Sequence, residues 1–164
     1  MKIVAFPFID VVETPQGKLV IKATQTHIHQ VYFDDDYTTP INTSTLTQLC
    51  SKQVTEYFAG KRQVFDLPLS LDGTVFQQQV WNELLHIPYG TCISYTALAK
   101  KFNDENLVRA VANANAKNKF AIVIPCHRVI ATDGKLTGYA WGLKRKRWLI
   151  DFEAKQAGTK LSLF

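Results

Sequence analysis

The hydrophobic pattern changes character about seventy residues into the chain. Before that point, short extended stretches alternate with turns. Ile3–Phe6, Leu19–Thr24 and Ile28–Phe33 read as strands, the last with His29, Val31 and Phe33 on alternate positions. Pro15-Gln16-Gly17 and Asp34-Asp35-Asp36 supply turn chemistry between them. A helical period then appears from Ser44 to Phe58, with Leu46, Leu49, Cys50, Val54, Tyr57 and Phe58 on one stripe and Gly60 as its stop. On that stripe Cys50 reads as a core residue. Val64–Leu69 is a short extended piece containing Pro68, and Leu71-Asp72-Gly73 is the expected boundary.

Beyond the boundary the pattern is mostly helical. Thr74-Val75-Phe76-Gln77 fits a T-x-x-Q capping box, and the helix it opens runs to about Leu85, with Phe76, Val80 and Leu84 on one face. Ile87-Pro88-Tyr89-Gly90 ends it in a turn. Two short helices follow, Tyr95–Phe102 capped by Ser94 and Asn106–Ala116, separated by Asn103-Asp104-Glu105. This reads as a helix-turn-helix. In the second helix Leu107, Val108 and Val111 form the inner face, and Arg109, Ala112, Asn113 and Ala116 the outer one. One long cation among small residues would let the helix backbone approach a partner closely; the same pattern also suits an ordinary alanine-rich surface helix. Phe120–Ile124 reads as a buried strand or extended segment. The loop Thr132–Gly142, rich in glycine and aromatics, suits either a wall for a flat ligand or a cover for the core. The last helix spans about Leu143–Gln156, with Leu149, Ile150 and Glu153 on one face.

Candidate chemistry centres on Ile124-Pro125-Cys126-His127-Arg128-Val129. Pro125 keeps Ile124 extended and makes the chain turn at the cysteine. If Pro125 opens a helical turn, Cys126 sits near a helix N-terminus, where the dipole and the cations His127 and Arg128 would favour the nucleophilic thiolate. The plainer alternative is a small buried hydrophobe, and adjacent strand side chains would point His127 away from Cys126. Glu153 on an apolar face needs a partner. His127 would give a Cys–His–Glu relay of nucleophile, base and orienter, and a solvated Glu153 near the helix end is the competing reading.

Composition narrows the classes. The 164 residues, 46% hydrophobic and 20% charged, suit one globular domain or two small ones, and no apolar run approaches membrane length. The N-terminal apolar stretch is too short for a signal peptide. Three cysteines without paired spacing indicate a reducing cytosol rather than a disulfide framework, and with no C-x-x-C or H-E-x-x-H no zinc site is expected. His27 and His29 read as exposed strand residues rather than ligands. A net charge of +5 suits an anionic partner only weakly. Its placement says more: Lys144-Arg145-Lys146-Arg147 is a run on a helix, and Lys100, Lys101, Arg109, Lys117 and Lys119 surround the centre of the second half.

Several motifs in order resemble the O6-alkylguanine-DNA alkyltransferases, or methylated-DNA–protein-cysteine methyltransferases. They are Gly73-Thr74-x-Phe76-Gln77-x-x-Val80-Trp81, Ile87-Pro88-x-Gly90-x-x-x-Ser94-Tyr95-x-x-Leu98-Ala99, Arg109-Ala110-Val111-Ala112, the Ile124–Val129 stretch, and Leu136-x-Gly138-Tyr139-x-Trp141-Gly142. The match covers about residues 64–155. The resemblance implies an α+β fold: a small RNase H-like N-terminal domain over 1–71, then a mainly helical DNA-binding and alkyltransferase domain over 73–160 with a helix-turn-helix and an active-site cysteine.

It further implies that a methyl or small alkyl group passes irreversibly from O6 of a flipped-out guanine, and from O4 of thymine, to Cys126. His127, Glu153, Tyr95 and Asn118 would be the supporting catalytic residues, with Tyr95 donating a hydrogen bond to the leaving base and Asn118 bracing the turn. Arg109, Ser94, Tyr95, Ala110 and Asn113 would meet DNA, Arg109 filling the stack from the minor groove. Tyr95, Asn115, Val129, Tyr139, Ala140 and Trp141 would line the base pocket. Two positions depart from relatives: Ala140 stands where many have serine or arginine, and Trp141 replaces a glycine of some animal members and should disfavour bulky adducts. The implied partner is double-stranded DNA carrying O6-alkylguanine. The implied protein is a cytoplasmic or nucleoid-associated monomer with no cofactor, metal or membrane. Two other readings compete: a lesion-binding helix-turn-helix module without transfer, and a cysteine hydrolase using Cys126 and His127.

Overall fold

A computed structural model describes residues 6–160 and divides the chain into two units between Asp72 and Gly73. In unit 1, strands β1 (Phe8–Thr14), β2 (Gly17–Ala23) and β3 (Ile28–Phe33) form an antiparallel sheet in that order. The β1–β2 pairing runs from Thr14↔Gly17 to Phe8↔Ala23, with Gly17 at φ +110° closing the turn. As the central strand, β2 buries Leu19, Val20, Ile21 and Ala23 completely. Helix α1 (Thr45–Phe58) packs on β1 and β2. Ser44 caps it in a reciprocal box with Thr47, and Cys50, Val54 and Tyr57 are its buried stripe.

Three expectations change here. The strand expected at Ile3–Phe6 lies, apart from Phe6, outside the described residues, and Phe6 is not in a strand. The first strand among the described residues is Phe8–Thr14, where a tight turn at residues 15–16 requires an arm of matching length directly before it. Leu49, placed on the buried stripe, is 41% exposed, and Gln53 takes its place by exchanging hydrogen bonds with the backbone of Asp66. His29 is not a solvated strand residue: its ring sits between Thr24 and Asp72.

Unit 2 begins with α2 (Val75–Leu84), capped by Thr74 and Gln77 in the expected box. Trp81, rather than Phe76, joins Val80 and Leu84 in its buried face, and the indole N–H of Trp81 donates to the Ala114 carbonyl at 2.9 Å. That bond ties α2 to α4 (Val108–Ala116). Helix α3 (Tyr95–Lys100) packs against α4, completing the helix-turn-helix. The second helix is shorter than the spacing suggests, because Glu105–Leu107 form a separate 3-10 turn. Its buried face is Val111, Ala114 and Asn115, with Leu107 and Val108 only half-buried. A two-residue strand β4 (Ile93–Ser94) pairs in parallel with β5 (Val129–Ile130). Helix α5 (Leu143–Ala157) ends at Gly158 in the left-handed conformation.

Phe120–Ile124 is buried as expected but is not a strand. The chain folds into two tight turns. In one the Val123 N–H reaches the Ala121 carbonyl at 2.7 Å around Ile122, whose φ is +60°. In the other the Cys126 N–H reaches the Ile124 carbonyl at 2.8 Å around Pro125 (φ −81°, ψ 62°). A β-branched residue at positive φ costs on the order of 1–3 kcal/mol and persists only where its surroundings over-determine it. Asn118 provides that here. Its amide donates to the Phe120 and Ile124 carbonyls at 3.1 and 2.9 Å, and its oxygen accepts from the Phe120 N–H at 3.0 Å.

Candidate active site

These turns deliver Cys126 into a single 3-10 turn, Cys126–Arg128, that leads directly into β5. The parallel ladder Ile93↔Val129 and Ser94↔Ile130 joins this turn to the start of α3. Ser94 caps α3 by accepting from the Ala97 N–H at 3.0 Å, and Tyr95 follows it into the site. The Asn115 amide, on α4, donates to the Cys126 carbonyl at 3.3 Å. Both helices of the helix-turn-helix are thus fixed to the cysteine.

Cys126 is 3% exposed. Burial pushes its thiol up to about 11, with an Asn118 hydrogen bond and the Lys146 charge pulling back only in part. The expectation that the helix dipole and neighbouring cations favour the thiolate is therefore corrected. A three-residue turn has too small a dipole to offset burial, and Arg128, one of the cations expected to help, is committed elsewhere. The resting group is a thiol and needs a base.

A candidate base is beside it in sequence and points inward. His127 is fully buried, and its Nε2 lies 2.7 Å from Glu153 Oε1. Arg128 grips the same carboxylate with a fork, Nε to Oε2 at 2.8 Å and Nη2 to Oε1 at 3.0 Å, and its Nη1 donates to the Ile87 carbonyl at 2.7 Å. Burial alone would raise the Glu153 carboxyl, but His127 and Arg128 outweigh it and hold it well below the usual carboxylate range. Burial also lowers His127 from its ordinary 6.5, and the Glu153 charge recovers only part of that. The imidazole is therefore neutral at pH 7. With an ionised acceptor on Nε2 the proton sits there, so Nδ1 carries the lone pair. Nδ1 is buried and has no partner.

Two further unpartnered buried atoms, Asn115 Oδ1 and the Tyr139 hydroxyl, belong to the same set of elements. Natural interiors seldom leave such atoms unsatisfied without a functional reason. Tyr95, 9% exposed, donates to the Thr137 carbonyl at 3.4 Å. Its phenol is raised by burial and by the Cys126 charge, with the Asn115 and Thr137 hydrogen bonds opposing. Val129 is buried in β5; Tyr139 meets Trp141 edge-on, with ring centroids 5.3 Å apart, and Ala140 is exposed. Arg109, Ala110 and Asn113 stand apart from this cluster on the exposed face of α4.

Sequence reasoning missed two members of the cluster. Lys146, taken as part of a solvated basic run, is fully buried. Its ammonium donates to the carbonyls of Thr137 and Gly138 at 2.9 and 3.4 Å and lies 5.8 Å from the centre of the Tyr95 ring. Burial lowers it to about 8, against the opposing pull of Cys126 and Cys92. Its signal was available: Lys146, Leu149, Ile150 and Glu153 fall on one helical face. Arg128 was noticed only as a neighbour of the thiol, whereas its partner is Glu153. Among the described residues no group of three or more His, Cys, Asp or Glu could hold a metal ion.

Residues 75–155 match the 6-O-methylguanine DNA methyltransferase DNA-binding domain, and residues 8–71 match the ribonuclease-like domain of the same proteins. A methylated-DNA–protein-cysteine methyltransferase of Mycobacterium tuberculosis is 49% identical over 112 residues, 68% of each chain. One from Methanosarcina barkeri is 38% identical over 155 residues, 89% of this chain and 96% of the relative. The crystal structure of Mycobacterium tuberculosis O6-methylguanine methyltransferase superposes with a TM-score of 0.82 at 36% identity, covering 96% of this chain and 98% of that one. A Mycobacterium tuberculosis OGT solved in complex with DNA gives a TM-score of 0.81 at 36% identity, covering 91% and 94%.

Proposed function

The chain belongs to the 6-O-methylguanine DNA methyltransferase family, and from that membership we propose how its own residues reverse alkylation damage in DNA. Its activity is that of a methylated-DNA–protein-cysteine methyltransferase, removing a methyl group from O6 of guanine in double-stranded DNA. The exposed face of α4, with Arg109 among Ala110, Ala112 and Asn113, approaches the minor groove, and Arg109 takes the place of the extruded base. Ser94 and Tyr95 meet the backbone beside the lesion. The base enters against Tyr95, Asn115, Val129, Tyr139, Ala140 and Trp141.

The thiol proton of Cys126 passes to His127 Nδ1, directly or through one water, while Glu153 and Arg128 hold the ring. The sulfur attacks the methyl carbon in line, an S–C bond forms, and the C–O6 bond breaks. The electron pair leaves on guanine as an anion, which Tyr95 stabilises by a hydrogen bond from its phenolic O–H to the base ring, keeping its own proton. The imidazolium proton is the one the guanine regains. S-methylcysteine is a thioether that water does not cleave, so each protein molecule acts once. O4-methylthymine offers the same chemistry. No helix among the described residues is long and apolar enough to cross a membrane, and a monomer acting in the cytoplasm or nucleoid fits this reading.

One observation carries the proposal: a buried thiol followed directly in sequence by a buried imidazole whose Nε2 is held by Glu153 and whose Nδ1 is unpaired. The test is intact-protein mass spectrometry after incubation with a duplex containing one O6-methylguanine. The expected result is one added methyl on the peptide containing Cys126, saturating at one per protein. Tight binding without a mass change would replace this reading with a lesion-sensing module.

A further inference from the structure

A second cationic feature lies on the side of α5 that does not face the cysteine. A groove of about 450 Å³ is lined by Lys135, Leu136, Leu143, Lys144 and Arg147. Its cations come from two segments, the loop after β5 and the first turns of α5. The placement is unfavourable for an isolated helix. Cations at a helix N-terminus oppose the macrodipole, yet the first turn of α5 holds no acidic residue, and Gly142 offers no side-chain cap. Arg145 is drawn aside to the Trp141 carbonyl and Lys146 is turned inward, which leaves Lys144 and Arg147, three apart, on the outward face. The acidic neighbours are weak counter-charges. Asp133 lies 3.9 Å from Lys135 and Asp151 lies 3.8 Å from Arg147, and all four side chains are more than half exposed. Lys144 has no hydrogen-bond or ion-pair partner among the described residues.

We propose that this groove is a phosphate-binding strip for the DNA backbone, separate from the helix-turn-helix; it rests on the reading above that the protein acts on duplex DNA. Three lines favour DNA over other anions. Unit 2 carries thirteen Lys or Arg against six Asp or Glu, a net of +7, so the strip adds to a field already suited to a polyanion. The apolar floor of Leu136 and Leu143, the latter 47% exposed, suits the sugar edges between successive phosphates. Lastly, the wall carrying Lys135 belongs to the loop whose carbonyls of Thr137 and Gly138 hold Lys146 at the cysteine, and whose Thr132 hydroxyl shares a 2.7 Å hydrogen bond with Thr96 of α3. A strand held in the groove therefore lies along the same loop that walls the base site.

The test is the salt dependence of binding to an undamaged duplex, which needs no methyl transfer. The full chain is compared with the triple variant Lys135→Gln, Lys144→Gln, Arg147→Gln and with Lys144→Gln alone. Each phosphate contact contributes about 0.9 to the slope of log affinity against log salt, so the triple variant should lose roughly 2.7 from the slope and on the order of a hundredfold in affinity near physiological salt. The single variant removes a side chain with no partner to lose, and it should lose somewhat under 1, which keeps the proposal testable if the triple variant unfolds. Unchanged slopes in variants whose unfolding midpoints match the parent would overturn it. So would a loss of self-association without DNA at an unchanged slope, which would assign the groove to a second copy of the chain. Absence of salt-dependent duplex binding by the unsubstituted protein would instead overturn the functional reading itself.

Discussion

The two units of this chain handle polar and charged groups in opposite ways. Among the described residues, the buried polar side chains of unit 1 are Thr47 and Gln53, both neutral and both satisfied by neighbouring backbone. Unit 2 buries Asn115, Asn118, His127, Arg128, Lys146 and Glu153. Unit 1 carries six Lys or Arg against eight Asp or Glu, a net of −2, where unit 2 has +7. Among the described residues the non-glycine residues with positive φ, Asn103 and Ile122, both lie in unit 2. Desolvating ions and straining backbone cost stability. Among its described residues unit 1 buries no charged side chain and holds no non-glycine residue at positive φ, although the Tyr37 hydroxyl and Arg62 Nε are buried without a partner, and it reads as scaffold. Unit 2 accepts both costs, and does so around one cysteine, which is where local rules are expected to give way to chemistry.

The strongest way to break that contrast is to remove the anion holding the cluster together. Glu153→Gln would leave Arg128 buried without a counter-charge and confront His127 or Arg128 with an amide donor. We expect a loss of about 3–5 kcal/mol in stability and a fall of about 100-fold in the single-turnover rate, measured by urea unfolding and rapid-quench transfer. The acid limb of stability should change with it. In the parent protein Glu153 is held low, so its contribution is present above the ordinary glutamate range and is lost as pH falls through it. His127 is also held low, so the unfolded chain takes up its proton first, and stability falls further below about pH 6.5. The variant should lose the carboxylate part of this slope. A variant as stable as the parent would mean that the buried ions are incidental.

A smaller effect isolates the lysine. Lys146→Met removes a charge that favours the Cys126 thiolate, and we expect a rate about tenfold lower near pH 7, equivalent to about one unit on the thiol. Lys146 is lowered to about 8, so its charge fades as pH rises through that value. The ratio of parent to variant rates should therefore be largest below pH 8 and shrink above it. A ratio independent of pH would leave Lys146 as a brace for the Thr137 and Gly138 carbonyls and nothing more. Stability adds a sign check. Between about pH 8 and 10.5 the unfolded chain holds a proton that the native lysine has lost, so the parent's stability should rise across that window and the variant's should not.

How much of this was legible in the sequence follows the same division. Helix starts announced themselves through local chemistry, at Ser44, Thr74 and Ser94, because a cap is decided within four residues. Glu153 was legible as a carboxylate on an apolar face. Phe120–Ile124 was misread because its burial is real but its backbone is set by Asn118, two residues before it, through three hydrogen bonds that no periodicity encodes. Lys146 was hidden inside a run of cations, where composition suggests solvent and only helical phase points inward. Phe8–Thr14 was not legible for a different reason: the turn that fixes this strand lies after it rather than before it.

The smallest effect on chemistry should come from unit 1, and it is the one that sharpens the comparison most. Gln53 donates to the Asp66 carbonyl at 3.0 Å and accepts from the Asp66 N–H at 2.9 Å while 3% exposed. Gln53→Ala would leave a buried donor and acceptor unpaired, at a cost of about 1–3 kcal/mol. The stability loss overlaps that of a unit 2 variant, but the transfer rate of the protein that remains folded should stay within about twofold of the parent, since no group that touches the thiol, imidazole or carboxylate is altered. Rates are best measured well below the unfolding midpoint, with active protein counted by methyl uptake. A rate that fell together with stability would mean that the scaffold and the chemistry are not separable in this chain, and that the Gln53–Asp66 pairing in unit 1 is itself part of what holds Cys126 ready.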